Sequence, residues 1–180
     1  TTAPSIADID GDGIYEIVLL GHVQNVSGTD RQKGVALWVV RSDASRIPGW
    51  ETPFHASDYL AGLGYFQGTN IAGATNQVAV ADINANKTGP EFIFAGLDGK
   101  IHTVASDKSE LWSFIYTTDT TVLTGGVVVG DLSNDSIPEI VFNTYSTEND
   151  KGALFVLDAG GNELHRVPLP RRGAMPVPTL

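Results

Sequence analysis

Residues 4–21 read PSIA-DIDGDGIYE-IVLLG: a short apolar run, nine residues carrying four carboxylates, and a second apolar run. The same unit returns twice. Residues 77–96 read QVAVA-DINANKTGPE-FIFAG, and residues 127–144 read VVVG-DLSNDSIPE-IVFNT. The three acidic windows, Asp8–Glu16, Asp82–Glu91 and Asp131–Glu139, hold nine of the chain's 21 carboxylates in 28 residues, where even spreading would place about three. A pattern repeated at a fixed period is the signature of a repeat architecture. The first two leading aspartates stand 74 residues apart and the last two 49. The unit is therefore roughly fifty residues long, and the first copy carries an insertion, placed at residues 52–75, which are Gly- and Ala-rich with no clean period.

Working outward, each unit resolves into short strand candidates bounded by turn residues. In the second they are Gln77–Ile83, Glu91–Leu97, Lys100–Ser106 and Glu110–Thr117; in the third, Val127–Leu132, Glu139–Ser146, Gly152–Ala159 and Glu163–Leu169. In the first, Glu16–His22 and Gly34–Arg41 are clear. Asp98-Gly99 predicts a tight hairpin with positive φ at both positions, and Gly160-Gly161-Asn162 marks another turn. Four-stranded units of this length in tandem predict an all-β fold, a β-propeller segment of about three blades plus the first strand of a fourth. The expected divisions are 1–51, the insertion 52–75, 76–122, 123–170, and 171–180 as the start of a further blade. Trp38, Trp112 and Phe155 fall in outer strands, where large rings pack between adjacent sheets. Propellers need four or more blades, so the ring is expected to be completed by further blades of a longer chain or by other chains.

Composition narrows the chemistry. The chain has 180 residues, a net charge of −10 and no cysteine. The acidity disfavours a nucleic-acid partner, and the missing thiols remove disulfides, thiol nucleophiles and thiolate metal sites. No apolar run is long enough to span a membrane. The opening residues lack the basic flank and apolar core of a signal peptide, so an exported protein would carry its targeting segment outside this chain. The four histidines share no ligand spacing, and no nucleophile elbow or phosphate loop occurs, so no catalytic residue and no organic cofactor is assigned.

The loops carry the strongest signal. In the first, Asp8, Asp10, Asp12 and Glu16 occupy relative positions 1, 3, 5 and 9, with the Ile14 carbonyl at 7. Gly11 and Gly13 allow the backbone to curl so that alternate side chains converge. Hard oxygen donors without nitrogen or sulfur suit Ca2+. An EF-hand shares the opening DIDGDG but needs an acid at position twelve, where Leu19 lies within a β-run. The third loop keeps the register with Asp131, Ser133, Asp135, the Ile137 carbonyl and Glu139. The second is degenerate: Asp82, Asn84 and Asn86 fill positions 1, 3 and 5, and Glu91 arrives one residue late, so the loop either holds calcium with the extra residue bulged out or is a hydrogen-bonded turn without metal.

An apolar strand followed by DxDGDGxxE and a β-run resembles the FG-GAP/VCBS repeats of integrin-α-type propellers, over nearly the whole chain apart from 52–75. The resemblance implies that each loop joins the first and second strands of a blade and binds calcium through positions 1, 3, 5, 7 and 9. A weaker likeness, DGKIHTVASDKSELWSF at 98–114, is similar to quinoprotein-type blades and concerns architecture alone.

These readings predict an extracellular calcium-stabilised module for adhesion, or for recognition of a glycan or protein, without catalysis. The alternatives are an accessory or partial domain of a secreted polysaccharide-active enzyme and a structural spacer in a large surface protein. Recognition would fall on the connecting loops, 23–33, 52–75 and 145–151, with Trp50, Phe54, Tyr59, Tyr65 and Phe66 supplying either a binding platform or a plug between the first two blades. Millimolar calcium outside cells would fill such loops, so the expected location is secreted, periplasmic or cell-surface.

Overall fold

The structure is a computed structural model that describes residues 3–22, 35–56, 77–174 and 178–179. Within them, twelve strands form three four-stranded antiparallel sheets, each running in chain order. The first contains β1 (Ser5–Ala7), β2 (Glu16–His22), β3 (Val35–Val40) and β4 (Phe54–His55). The second contains β5 (Ala79–Ala81), β6 (Glu91–Ala95), β7 (Lys100–Ala105) and β8 (Glu110–Ile115). The third contains β9 (Val122–Gly130), β10 (Glu139–Ser146), β11 (Ala153–Leu157) and β12 (Glu163–Pro168). The arrangement is consistent with part of a propeller. No helix among the described residues is long and apolar enough to cross a membrane.

The middle sheet holds the stack together because β6 is buried on both faces. Successive side chains of a strand point to opposite sides. Phe92 and Phe94 accordingly pack against Val18, Leu20, Leu37 and Val39 of the first sheet. Ile93 and Ala95 face the other way, in a second cluster with Ile140, Phe142 and Phe155 of the third sheet. This is why β6 reads EFIFA, apolar after its first residue rather than alternating. A fully buried Phe contributes roughly 1.5–3 kcal/mol by transfer alone, and Phe92, Phe94 and Phe142 are all 0% exposed. Cross-strand partners Phe142 and Phe155 stack at 4.7 Å, and the Arg166 guanidinium on β12 caps the Phe155 ring at 4.5 Å.

The leading strands β1, β5 and β9 line one cavity of about 680 Å3, joined there by Pro178 and Thr179. Small residues predominate on them, and the Ser5 hydroxyl donates to the Val78 carbonyl across the first two sheets. β9 begins at Val122, five residues before the strand expected from Val127. Two residues, Gly125 and Gly126, oppose the single Asn143 between the pairs Phe142–Val127 and Thr144–Thr124, so the glycine pair is a β-bulge rather than a strand boundary. The β6–β7 turn also differs from expectation. Gly96 N–H donates to Lys100 O, enclosing residues 97–99, and only Gly99 has positive φ, at 78°. This is a three-residue hairpin ending in a left-handed residue. The β11–β12 turn repeats it, with Asp158 N–H donating to Asn162 O and Gly161 at φ 82°.

Trp50 and Phe54 act as the plug. Trp50 is 2% exposed, meets Phe92 edge-on at 5.3 Å and donates from Nε1 to the Ser106 carbonyl at 2.8 Å. Phe54 lies in β4, a strand with no clear sequence signal, and packs on the same cluster. Tyr59, Tyr65, Phe66 and the loop 23–33 lie outside the described residues.

His102, on β7, is 2% exposed and stacked on Phe94 at 5.5 Å. Nδ1 faces Glu110 Oε1 at 2.7 Å, and Nε2 faces both Asp98 oxygens at 3.1 Å. Lys100 Nζ stands 3.9 Å from Asp98. Gly96 is required here, because a Cβ would sit 2.3 Å from Asp98 Oδ1. Burial alone would depress the imidazole, but the Asp98 and Glu110 bonds and charges outweigh it and hold its pKa above 6.5. A raised folded-state value stabilises fully below the unfolded pKa near 6.5 and is lost as pH rises through the folded value. His102→Gln is therefore expected to cost about 1–3 kcal/mol at pH 5.5 and less at pH 9.5, read by urea unfolding. A cost that is equal or greater at pH 9.5 would contradict this.

Candidate metal centre

Each acidic window joins the first and second strands of its sheet. The terminal glutamate opens the second strand, and strand pairing sets Glu16 opposite Ala7, Glu91 opposite Ala81 and Glu139 opposite Gly130. The three carboxylates share one bond. Oε2 accepts from the N–H of the residue after the leading aspartate: Ile9 at 2.9 Å, Ile83 at 2.9 Å and Leu132 at 2.7 Å. Glu91 does so despite arriving one residue late, because the extra residue is taken up within the loop and the strand register is kept.

The first and third loops also share most of their backbone curl, although the leading aspartate bonds position 4 in the first and position 5 in the third. Asp8 accepts from the N–H groups of Gly11 at 2.8 Å and Gly13 at 2.9 Å; Asp131 accepts from Asp135 at 3.2 Å and Ser136 at 2.9 Å. Asp12 accepts from Ile14 N–H at 2.7 Å, and Asp135 from Ile137 N–H at 2.8 Å. Positions 4 and 6 are left-handed in both: Gly11 and Gly13 at φ 76° and 84°, Asn134 and Ser136 at 61° and 69°. The Ile14 and Ile137 side chains face solvent.

The loops differ in convergence. Oxygens of Asp8, Asp10 and Glu16 all lie within 4.8 Å of one another, a cluster able to coordinate a divalent cation. Among the described residues no other trio of acidic or histidine side chains meets that spacing. Asp131, Asp135 and Glu139 are thus more widely set, with Ser133 exposed beside them. In the second loop Asp82 is exposed, and Asn84 is engaged by the Asn86 N–H at 3.1 Å. Burial, and then the Asp82 charge, push the Glu91 carboxyl above its ordinary value.

Glu16 is the diagnostic residue. It is 0% exposed, and its Oε1 has no hydrogen-bond partner. A buried carboxylate oxygen without a donor costs about 1–3 kcal/mol or more, and an all-oxygen cluster with such an atom suits a hard cation. Arg41, which the loop motif gave no reason to single out, also reaches this cluster. Its Nη2 stands 3.0 Å from Asp10 Oδ2 and 3.5 Å from Asp12 Oδ2, and its Nε 3.8 Å from Glu16 Oε1. Arg41 follows Val40, the partner of Ile17, which places it at the level of Glu16. The signal for it was strand register rather than loop spacing. Beside the cluster lies a cleft of about 500 Å3, lined by Asp8, Asp10, Trp50, Lys87 and Asp107 among others. Lys87 is held away from the carboxylates of the first loop, its Nζ bonded to Asp107 at 2.8 Å and Ser109 at 3.0 Å.

The shared backbone gives a direct test. A non-glycine residue in the left-handed region carries roughly 1 kcal/mol of steric cost. Ser136→Gly is expected to be neutral or stabilising by up to about 1 kcal/mol in urea unfolding, whereas Gly13→Ser costs a similar amount. Strong destabilisation by Ser136→Gly would show that the loops are not conformationally equivalent.

No protein-family model matches the chain, and no curated protein matches it.

Proposed function

We propose that the protein is a calcium-stabilised, non-catalytic β-propeller module of the FG-GAP/VCBS kind, acting in adhesion or in recognition of a glycan or protein outside the cytosol. The observation that carries the reading is buried Glu16, whose Oε1 accepts no hydrogen bond and whose carboxylate lies with those of Asp8 and Asp10 in one acidic cluster. In the first loop the proposed ligands are Asp8, Asp10, Asp12, the Ile14 carbonyl and Glu16. Calcium there would supply the charge that four carboxylates in nine residues lack, and would lock the β1–β2 connection against the cleft beside it.

A second, weaker ion is proposed for Asp131, Ser133, Asp135, the Ile137 carbonyl and Glu139, which carry one carboxylate fewer. Asp82, Asn84, Asn86 and Glu91 rank last, since two amides stand where the first loop has carboxylates and Asn84 is already engaged by the Asn86 N–H. Calcium is preferred over magnesium because flexible loop oxygens, backbone carbonyls among them, suit its larger and less regular coordination shell. Partner recognition is assigned to the connecting loops. Trp50 is excluded as a platform by its burial, and it serves the interior.

The test is thermal unfolding in EDTA and then in calcium, with magnesium as control. Calcium that binds only the folded state, at 100 times its dissociation constant, adds about 2.7 kcal/mol per site, a rise of roughly 5–10 °C for a chain of this size. Asp10→Ala is expected to remove most of the shift and Glu91→Gln to retain it. No calcium-dependent shift, or one equal in Asp10→Ala and the unmodified protein, would overturn the assignment.

A further inference from the structure

We infer that Arg41 is a tethered competitor for the first-loop ion: its guanidinium neutralises the Asp10–Asp12–Glu16 face when no divalent cation is held and must swing out when one binds. This rests on the metal-centre reading and adds to it a residue that sets affinity. Three observations carry it. The guanidinium faces three of the four carboxylates of the loop, closest to Asp10 at 3.0 Å. The fit is incomplete, since Arg41 Nε and Glu16 Oε1 face each other at 3.8 Å, both buried and neither hydrogen-bonded. The side chain is also 30% exposed, so it has an open route to solvent.

A buried carboxylate paired without hydrogen bonding is poorly satisfied, which marks this contact as one of two arrangements. A divalent ion brings twice the charge of the guanidinium and loses no side-chain freedom on binding, so it displaces the arginine at sufficient concentration. Arginine in turn raises the concentration required. The other two sheets lack such a residue. The position facing Glu91 is Ala105, and the residue after Leu157, the partner of Ile140, is Asp158. Asp158 is engaged instead with Asn162, at 2.8 Å from the backbone N–H and 2.9 Å from the side-chain amide. The competitor therefore belongs to the first loop alone, where the acid cluster is densest.

The experiment measures Ca2+ and Tb3+ binding by calorimetry and by Tb3+ luminescence sensitised by Trp50, which lines the adjoining cleft. It uses the unmodified protein, Arg41→Gln and Arg41→Lys, with unfolding in EDTA read alongside. Arg41→Gln is expected to bind calcium roughly tenfold more tightly, while its melting temperature in EDTA falls. Arg41→Lys, which keeps the charge but not the planar fork, should lie between. An arginine with a purely structural role would weaken binding on removal, so equal or weaker affinity in Arg41→Gln overturns the competitor while leaving the metal site standing. Binding by none of the three proteins overturns the metal reading and the competitor with it. Binding by Arg41→Gln alone supports both.

Discussion

One hydrogen bond, repeated three times, organises this molecule. The buried glutamate at the head of each second strand accepts the backbone N–H just after the leading aspartate. That bond ties the loop's first turn to the strand that starts the sheet interior. With Glu16, Glu91 and Glu139 opposite Ala7, Ala81 and Gly130, strand register and loop closure are set together. A slip of one residue would invert the faces of β6 and bring Ile93 and Ala95 where Phe92 and Phe94 now pack. The glutamate thus has a structural duty independent of any ion. One of its oxygens is spent on the backbone, and only the other remains for a cation.

That division separates the three loops. At Glu16 the second oxygen faces a guanidinium, and the carboxylate stands with Asp8 and Asp10 in a cluster of hard donors with too little positive charge. At Glu91 the second oxygen is also without a partner, but its loop has exchanged acids for amides, and its carboxyl is pushed towards the neutral form. At Glu139 the backbone curl is retained while the carboxylates stand further apart. A single template has been kept for its connection between strands, and its capacity for a cation varies with the side chains placed on it.

Much of this was legible because it is local. The Asp/Gly spacing gave the loops, and alternation gave most strand boundaries to within a few residues; Glu16–His22 and Glu139–Ser146 came out as predicted. What stayed hidden depends on register between distant segments. Arg41 reaches Asp10 across 31 residues of chain, and nothing in the loop motif points to it. Gly125-Gly126 reads as a strand end when taken locally and becomes a bulge only against β10. His102 reads as an isolated histidine, because its carboxylate partners come from a turn and from the neighbouring strand. Asp98-Gly99 reads as a turn, but its loop length, which decides how many residues take positive φ, follows from which strand residues pair.

The most direct measurement is a crystal structure of the protein grown in millimolar calcium, refined beside one grown in EDTA. The expected result is an ion bonded to oxygens of Asp8, Asp10 and Glu16 in the calcium crystal, with the Arg41 guanidinium turned to solvent and the Glu16–Ile9 bond unchanged. Crystals in which Arg41 stays on Asp10 and no ion enters the first loop at millimolar calcium would contradict the assignment of that loop as a metal centre.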